Sequence, residues 1–315
     1  MKNTKAKLNG QRIGIFGRGG CGKSTTTVFL AQALREAGYP VAVLDADSTN
    51  EGLARALGAD RAPDDLLEWF GGTVFSGGPV SCPVDDPLPQ AGAHVHLREL
   101  PDRFFARTPD DTLLFQAGKI GPLGPGAGCD GPMTKIARDF TLETEGEAPV
   151  MLLDFKAGIE DASRGVITSL DWVVGVIDPT GPGVRAAVTI RTLLDQMHAG
   201  GMPATRHLGS QHLVKITEDA YRAARTQGVV FVLNKVADLD AEFDLCQLLV
   251  QSGIQATAAF AEENALRIAW LKGLPLESAS ARSEAGKIVR ALKDGLGRFS
   301  ESPESMPASP SEKTR

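Results

Sequence analysis

Nine consecutive residues constrain this chain most: Gly17-Arg18-Gly19-Gly20-Cys21-Gly22-Lys23-Ser24-Thr25. They follow the apolar run Arg12-Ile13-Gly14-Ile15-Phe16 and precede Thr26-Thr27-Val28-Phe29-Leu30-Ala31. A strand, a glycine-rich loop and a helix start in that order form a phosphate cradle. Glycines let backbone N–H groups close on an anion at the positive end of the helix. Gly17, Gly19, Gly20, Cys21, Gly22, Lys23, Ser24 and Thr25 are therefore the expected phosphate-binding residues. Lys23 is expected to reach the β- and γ-phosphates and Ser24 to reach Mg²⁺. The competing reading, a glycine loop with a chance Lys-Ser pair, is disfavoured by the strand before it and the helix after it. The expected ligand is a nucleoside triphosphate.

A chain of 315 residues has room for one large α/β domain or two small ones. Its net charge of -6 and pI near 5.5 argue against sequence-independent DNA binding, which needs a basic face. No specific nucleic-acid partner is expected. The longest apolar runs are of strand length, too short for a transmembrane segment. Met1-Lys2-Asn3-Thr4-Lys5 lacks the apolar region of a secretion signal. Cys21, Cys82, Cys129 and Cys246 do not read as a disulfide framework in so long a chain. A cytoplasmic, reducing compartment is the expectation.

Short β-branched runs alternate with helical patterns, which predicts an α/β fold: a doubly wound, mostly parallel sheet of about seven strands flanked by helices. Strands are expected near 12–16, 41–45, 113–117, 150–154, 172–177, 229–234 and 255–260. The first helix should run from about Lys23 to Ala37, ended by Gly38, with Pro40 blocking continuation. Residues 1–10 read as a flexible lead, 11–299 as the nucleotide-binding domain, and the Ser/Pro/Glu-rich 300–315 as a disordered tail. Within the domain, residues 71–110 are rich in Gly, Pro and Asp and are expected to form loops over the nucleotide face. Residues 200–228 read as an inserted excursion before the 229–234 strand. The final periodic segment places Ala285, Ile288, Val289, Leu292, Leu296 and Phe299 on one helical face. It carries only Lys287, Arg290, Lys293 and Arg298 against Glu284 and Asp294, too weak a basic face for membrane binding, so packing on the domain is favoured.

Three strand ends carry polar residues to one edge. Val43-Leu44-Asp45-Ala46-Asp47-Ser48-Thr49-Asn50 supplies two carboxylates that can organise Mg²⁺ and a water for in-line attack. Asp47 is expected to orient that water and Asp45 to support it. An acidic strand end that only caps or solvates is the bland alternative. Val150-Met151-Leu152-Leu153-Asp154 forms a buried strand delivering Asp154 to the carboxyl edge, where a Mg²⁺ ligand belongs. Gly158 can offer a backbone N–H to the γ-phosphate, making 154–158 a candidate switch. Phe231-Val232-Leu233-Asn234-Lys235 ends a later strand, and Asn234 can pair with adenine or simply make a turn.

These motifs resemble the deviant-Walker ATPases, the group of MinD, ParA, the arsenite pump ATPase and the nitrogenase iron protein. That group's loop reads Gly-Lys-Gly-Gly-x-Gly-Lys-[Ser/Thr], its first lysine crossing a dimer interface to the partner's phosphates. Arg18 stands at that position here; it keeps the charge and adds a planar donor fork. The resemblance implies a homodimer that binds and hydrolyses ATP with Mg²⁺, Arg18 contacting the partner's nucleotide. Within the group the chain is similar to the CooC-type ATPases that assist nickel insertion into carbon monoxide dehydrogenase. Glu99-Leu100-Pro101-Asp102-Arg103-Phe104, Phe115-Gln116-Ala117-Gly118-Lys119-Ile120 and the stretch from Asp154 to Gly165 carry that likeness. It implies an accessory role in metallocofactor insertion or maturation of a client metalloenzyme. A MinD/ParA-like switch that positions a partner, and an ATP sensor that does not hydrolyse, are the alternatives.

The family's Gly-Cys-x-Cys-Pro metal motif is here Gly128-Cys129-Asp130-Gly131-Pro132. One thiolate per protomer, Cys129, gives a dimer two soft ligands, short of a closed nickel, zinc or iron–sulfur site; an inert cysteine is the other reading. Cys82 shows no partner spacing, Cys246 reads as core, and Cys21 as a tolerated loop residue. His94-x-His96 points two imidazoles to one strand face, more simply a solvated face than a metal pair because no third ligand is evident.

Overall fold

The described residues of this computed structural model are 8–73, 78–120, 129–158 and 160–299. They run β1 (Arg12–Phe16), α1 (Lys23–Glu36), β2 (Val41–Asp45), α2 (Leu53–Ala56), α3 (Leu66–Trp69), β3 (His94–His96), β4 (Ala106–Arg107), β5 (Leu113–Gln116), α4 (Gly131–Asp139) and β6 (Thr141–Glu143). They continue with β7 (Val150–Asp154), α5 (Glu160–Ser163), β8 (Trp172–Ile177), α6 (Gly181–His198), α7 (Gln211–Arg222), β9 (Gly228–Val236), α8 (Leu239–Gln251), β10 (Ala256–Ala261), α9 (Asn264–Lys272) and α10 (Ala279–Asp294). β1, β2, β7 and β8 are buried at every position, as expected of central parallel strands covered on both faces.

The main sheet has eight strands in the order β10-β9-β8-β1-β7-β2-β5-β4. Every neighbour is parallel except the edge pair β4–β5. Alternation along β1 sends Ile13 and Ile15 to one face and Phe16 to the other. On the first face they join Phe29 and Leu30 of α1 and Ile288 and Leu292 of α10. On the second, Phe16 stacks on Phe155 at 4.6 Å between ring centres, in a core shared with Phe115, Phe140, Leu194 and Leu249. Each fully buried side chain of this size stabilises the fold by about 1.5–3 kcal/mol.

At the amino edge of β1 sits a buried arginine. Arg12 is 5% exposed, and its guanidinium donates to the carbonyls of Ser169 (3.0 Å), Ala137 (2.7 Å) and Phe140. Its backbone N–H donates to Asp171 Oδ2 at 2.8 Å. Burial lowers its pKa to about 10, opposed by Asp171 and Asp139.

Several expectations are corrected. Residues 71–110 do not simply loop over the nucleotide face: Val95, Leu100 and Phe104 are buried, β3 pairs with β6, and β4 supplies the eighth strand. His96, Leu97 and Phe105 line a cavity with Pro40, Leu113 and Pro149, at the amino ends of β2, β5 and β7 and thus opposite the phosphate loop. Their apolar residues are too irregularly spaced to read as periodic. The final helix stops at Asp294 because Gly295 takes φ +71°; Leu296 is left exposed, and Phe299 stacks on His198 beyond the helix. The apolar face of α10 packs on α1. The stretch 200–228 contains α7, capped by Ser210. Of the expected flexible lead, Leu8 is buried and Gly10 N–H donates to Ala148 O at 3.1 Å; the expected tail 300–315 lies outside the described residues. No helix among the described residues is long and apolar enough to cross a membrane.

Candidate functional site

The loop between β1 and α1 crosses the carboxyl edge of the sheet, where open α/β sheets bind ligands. Two of its glycines, Gly17 and Gly22, are required by contact as well as by dihedral. A Cβ at Gly17 would lie 2.5 Å from Val176 O, and one at Gly22, where φ is +95°, only 1.7 Å from Asn234 Nδ2. Gly22 starts α1 without a side-chain cap, and the first turn holds no acid. Its orphan N–H groups are therefore open to an anion. Lys23 is 7% exposed and lies across the loop, Nζ donating to Arg18 O at 3.4 Å. Cys21 is fully buried beneath it, and burial pushes its thiol to about 11. It is a core residue of the loop.

Asp45 and Asp154 are paired in register on β2 and β7, so two carboxylates emerge side by side at the same edge. Asp45 is clamped: Lys119 Nζ lies 2.8 Å from Oδ2 and also donates to Asp47 O at 2.6 Å and to Asn50 O. Burial raises the Asp45 carboxyl to about 7, with Lys119 opposing and Asp154 adding to the rise. Asp154 is fully buried and neither carboxylate oxygen has a hydrogen-bond partner among the described residues. Burial lifts its pKa to about 6, opposed by Ser24, Lys23 and Thr27. A buried carboxylate with open lone pairs beside a serine hydroxyl and the phosphate loop suits a hard cation such as Mg²⁺. Ser24 Oγ accepts from Asn50 Nδ2 at 3.0 Å. Asp47 Oδ1 accepts from the N–H and hydroxyl of Thr49, at 2.9 and 2.7 Å.

A cavity of ≈ 480 Å³ gathers part of this set, with Asp45, Asp154 and Lys119 outside its lining. Gly20, Gly22, Lys23, Ser24, Thr25, Asp47, Asn50 and Asn234 line it, as do Lys235, Ala261, Glu262, Glu263, Leu266, Arg267 and Trp270. The second group was not expected. Trp270 Nε1 donates to Thr25 Oγ1 at 2.9 Å, a contact with no local sequence signal. Asn234 enters the cavity at a β-bulge: Ala259 pairs with Leu233 but Ala261 with Val236, and Lys235 takes φ +59°. Bulges of this kind re-aim side chains beside active sites. The Asn234 amide nitrogen is directed at the loop, donating to Cys21 O at 2.7 Å.

Residues 15–276 match the CobQ/CobB/MinD/ParA nucleotide binding domain. The chain belongs to this family. An uncharacterized ATP-binding protein of Methanocaldococcus jannaschii is 31% identical over 188 residues, 59% of this chain and 74% of the relative. The carbon monoxide dehydrogenase accessory protein CooC of Rhodospirillum rubrum is 27% identical over 250 residues, 78% of this chain and 86% of CooC. A chain of the MinC:MinD cell division protein complex of Aquifex aeolicus superposes with TM-score 0.55 at 16% identity, over 90% of this chain and 95% of that one. MinD of Pyrococcus horikoshii, complexed with Mg-ADP, gives TM-score 0.54 at 16% identity, again over 90% and 95%. The solved structures establish the mostly parallel, helix-flanked fold of this nucleotide-binding family.

Other expected residues of this MinD/ParA-type domain have different surroundings. Arg18 is held within its own chain, Nη1 lying 3.2 Å from Asp178 Oδ2 and 3.4 Å from Thr180 Oγ1. The Gly158 N–H is not directed at a ligand: it donates to Gly17 O at 3.0 Å, closing an antiparallel bridge between the two loops. Cys129 is exposed, its sulfur accepting from Gly131 N–H at 3.4 Å. Cys82, without a partner by spacing, packs against Gly131, where a Cβ would lie 2.8 Å from its sulfur. No group of three or more His, Cys, Asp or Glu that could hold a metal occurs among the described residues. His94 instead meets Thr141 Oγ1 (2.8 Å) and Glu143 Oε2 (3.2 Å), and His96 Nδ1 accepts from Arg98 N–H. Cys246 is half-buried on α8 against the core.

Proposed function

We propose that this domain binds Mg·ATP in the ≈ 480 Å³ cleft and hydrolyses it, as a homodimeric accessory protein to a client metalloenzyme. The observation that carries the ATPase reading is Asp154, a buried carboxylate with both oxygens unpartnered, set with Lys23 and Ser24 at the carboxyl edge of the sheet. Lys23 and the N–H groups of the loop hold the phosphates. Asp154 and Ser24 are the residues that would hold Mg²⁺, which when bound neutralises charge on the phosphate oxygens. Asp47, fixed by Thr49, orients the attacking water, and Asp45 with Lys119 holds the 45–50 segment in place. Catalysis of this kind rests on positioning and charge neutralisation. Arg18 reaches a partner's nucleotide once it leaves Asp178. The accessory role is supported by the match to CooC, 86% of whose length is covered.

A second reading, a nucleotide-driven switch acting on a partner protein, is favoured by the contacts of the 154–158 loop. Gly158 ties it to Gly17, and Lys156 Nζ ties it to Asp130 at 3.0 Å, so a ligand at the loop bears on the start of α4. Turnover with a client present, against turnover alone, separates the readings. The common element is tested by Lys23→Ala, which should abolish ATP binding measured by calorimetry and with it phosphate release. Unchanged ATP affinity in that variant sinks the phosphate-loop assignment.

A further inference from the structure

The lining of the cleft is of two chemically different kinds. One is the phosphate loop, with Lys23 and the open N–H groups of α1. The other is Glu262, Glu263, Leu266, Arg267 and Trp270, carboxylates and a cation mixed with apolar surface. A triphosphate suits the first. An uncharged, flat, aromatic group suits the second. Resting on the nucleotide-binding reading above, we propose that Trp270 is the platform on which the nucleobase stacks and that this indole, more than Asn234, supplies the affinity for the base.

The indole is held in place from two sides before any ligand arrives. Its Nε1 donates to Thr25 Oγ1 at 2.9 Å, tying the ring to the residue directly after the phosphate-loop serine. Its six-membered ring packs against Gly52, where a Cβ would stand 2.8 Å from Cζ3. A ring fixed in this way stacks at little cost in conformational entropy. Asn234 is less available. It is 4% exposed, and its amide nitrogen is engaged by Cys21 O at 2.7 Å. Pulling it toward a base would remove its partner from a buried loop carbonyl.

The chain also provides its own reporter. Of its three tryptophans, Trp172 is fully buried and Trp69 sits edge-on to Phe104 at 5.6 Å; neither lines the cleft. A change in tryptophan emission on ligand binding therefore reads Trp270.

The test compares Mg·ATP with Mg·tripolyphosphate, which carries the phosphates without the base, on the full chain and on Trp270→Ala and Trp270→Phe. Base–aromatic stacking of ordinary strength predicts that Trp270→Ala weakens ATP binding about ten- to a hundredfold. Tripolyphosphate affinity should stay at the wild-type value, and that retention also shows that the variant is folded. Trp270→Phe should recover most of the ATP affinity. Wild-type emission should change with ATP and not with tripolyphosphate. Unchanged ATP affinity in Trp270→Ala overturns the proposal. So does an equal loss for both ligands, which would make Trp270 a support for Thr25 and nothing more. A wild-type chain that binds neither ligand removes the phosphate-loop reading itself, a result distinguishable from a failure of the stacking platform alone.

Discussion

The two edges of the central sheet both bury charge, and they treat it in opposite ways. At the amino edge, Arg12 is saturated: its guanidinium donates to four backbone carbonyls, those of Ala137, Arg138, Phe140 and Ser169, and its own N–H to Asp171. At the carboxyl edge, Asp154 is at least as buried and has no hydrogen-bond partner among the described residues. A satisfied buried charge supports the fold, because each donor has a partner. An unsatisfied one costs stability and persists where a ligand or ion completes it. The loop glycines, the Lys235 bulge and the raised carboxyls of Asp45 and Asp154 gather at the second edge. Strain and incomplete pairing therefore mark the candidate site more sharply than the presence of charge does.

Replacing each charge should move stability in opposite directions. Arg12→Met keeps the backbone N–H that serves Asp171 but removes the cation beside that carboxylate and leaves the Ala137, Arg138, Phe140 and Ser169 carbonyls without their side-chain donor, at a cost of about 3–5 kcal/mol, the usual size for breaking a buried charged network. Denaturant unfolding of the variant measures it, and a loss under about 1 kcal/mol would end the contrast. Asp154→Asn should instead stabilise the nucleotide-free, Mg²⁺-free chain. A carboxyl whose folded pKa is raised, here from 3.8 to about 6, favours the protonated native form. That contribution is fully present below the unfolded value and is lost as pH rises to about 6. Above about pH 6 the variant should therefore be more stable by on the order of 2–3 kcal/mol, and the gain should vanish below about pH 4. The same variant should lose the tightening of ATP binding by Mg²⁺. A pH-independent difference between the two chains would contradict the reading of Asp154 as an unpaired buried carboxylate.

Much of this contrast is legible in the sequence, and the part that is not has a physical reason. The runs that became β1, β2, β7 and β8 are continuous and apolar apart from Arg12 and the two terminal aspartates because both faces are covered, and Asp45 and Asp154, which end β2 and β7, fall at the carboxyl edge. The phosphate loop is legible because its parts occupy one contiguous stretch. By contrast β3, β4 and β6 are two or three residues long, too short to show a period. Lys119 and Trp270 were missed as site residues because their contacts are distant in the chain: Lys119 meets Asp45 74 residues away, and Trp270 meets Thr25 245 residues away. Cys82 was unreadable for the same reason, its neighbour being the backbone of Gly131.

Lys119 sharpens the comparison further, since it makes Asp45 resemble the amino edge while its neighbour Asp154 does not. Lys119→Gln should leave Asp45 buried without its cation, raise that carboxyl above its present value of about 7, and cost about 2 kcal/mol. Because Lys119 also holds the Asp47 and Asn50 carbonyls, ATP turnover should fall more than ATP affinity. Equal losses in both would place Lys119 in binding alone.

The smallest effect on stability belongs to the charge that lies farthest out. Arg18 is also ion-paired, to Asp178 at 3.2 Å, but its side chain is 41% exposed, and exposed pairs contribute about 0–1 kcal/mol. Arg18→Ala should therefore unfold within about 1 kcal/mol of wild type and hold ATP as a monomer with unchanged affinity. If Arg18 leaves Asp178 for a partner's phosphates, ATP-dependent dimerisation, followed by sedimentation, should weaken in the variant. Asp178→Asn should have the opposite sign, because it frees the guanidinium without removing it. A dimerisation constant unmoved by either substitution would return Arg18 to the role its own chain displays, a tether between the phosphate loop and the end of β8.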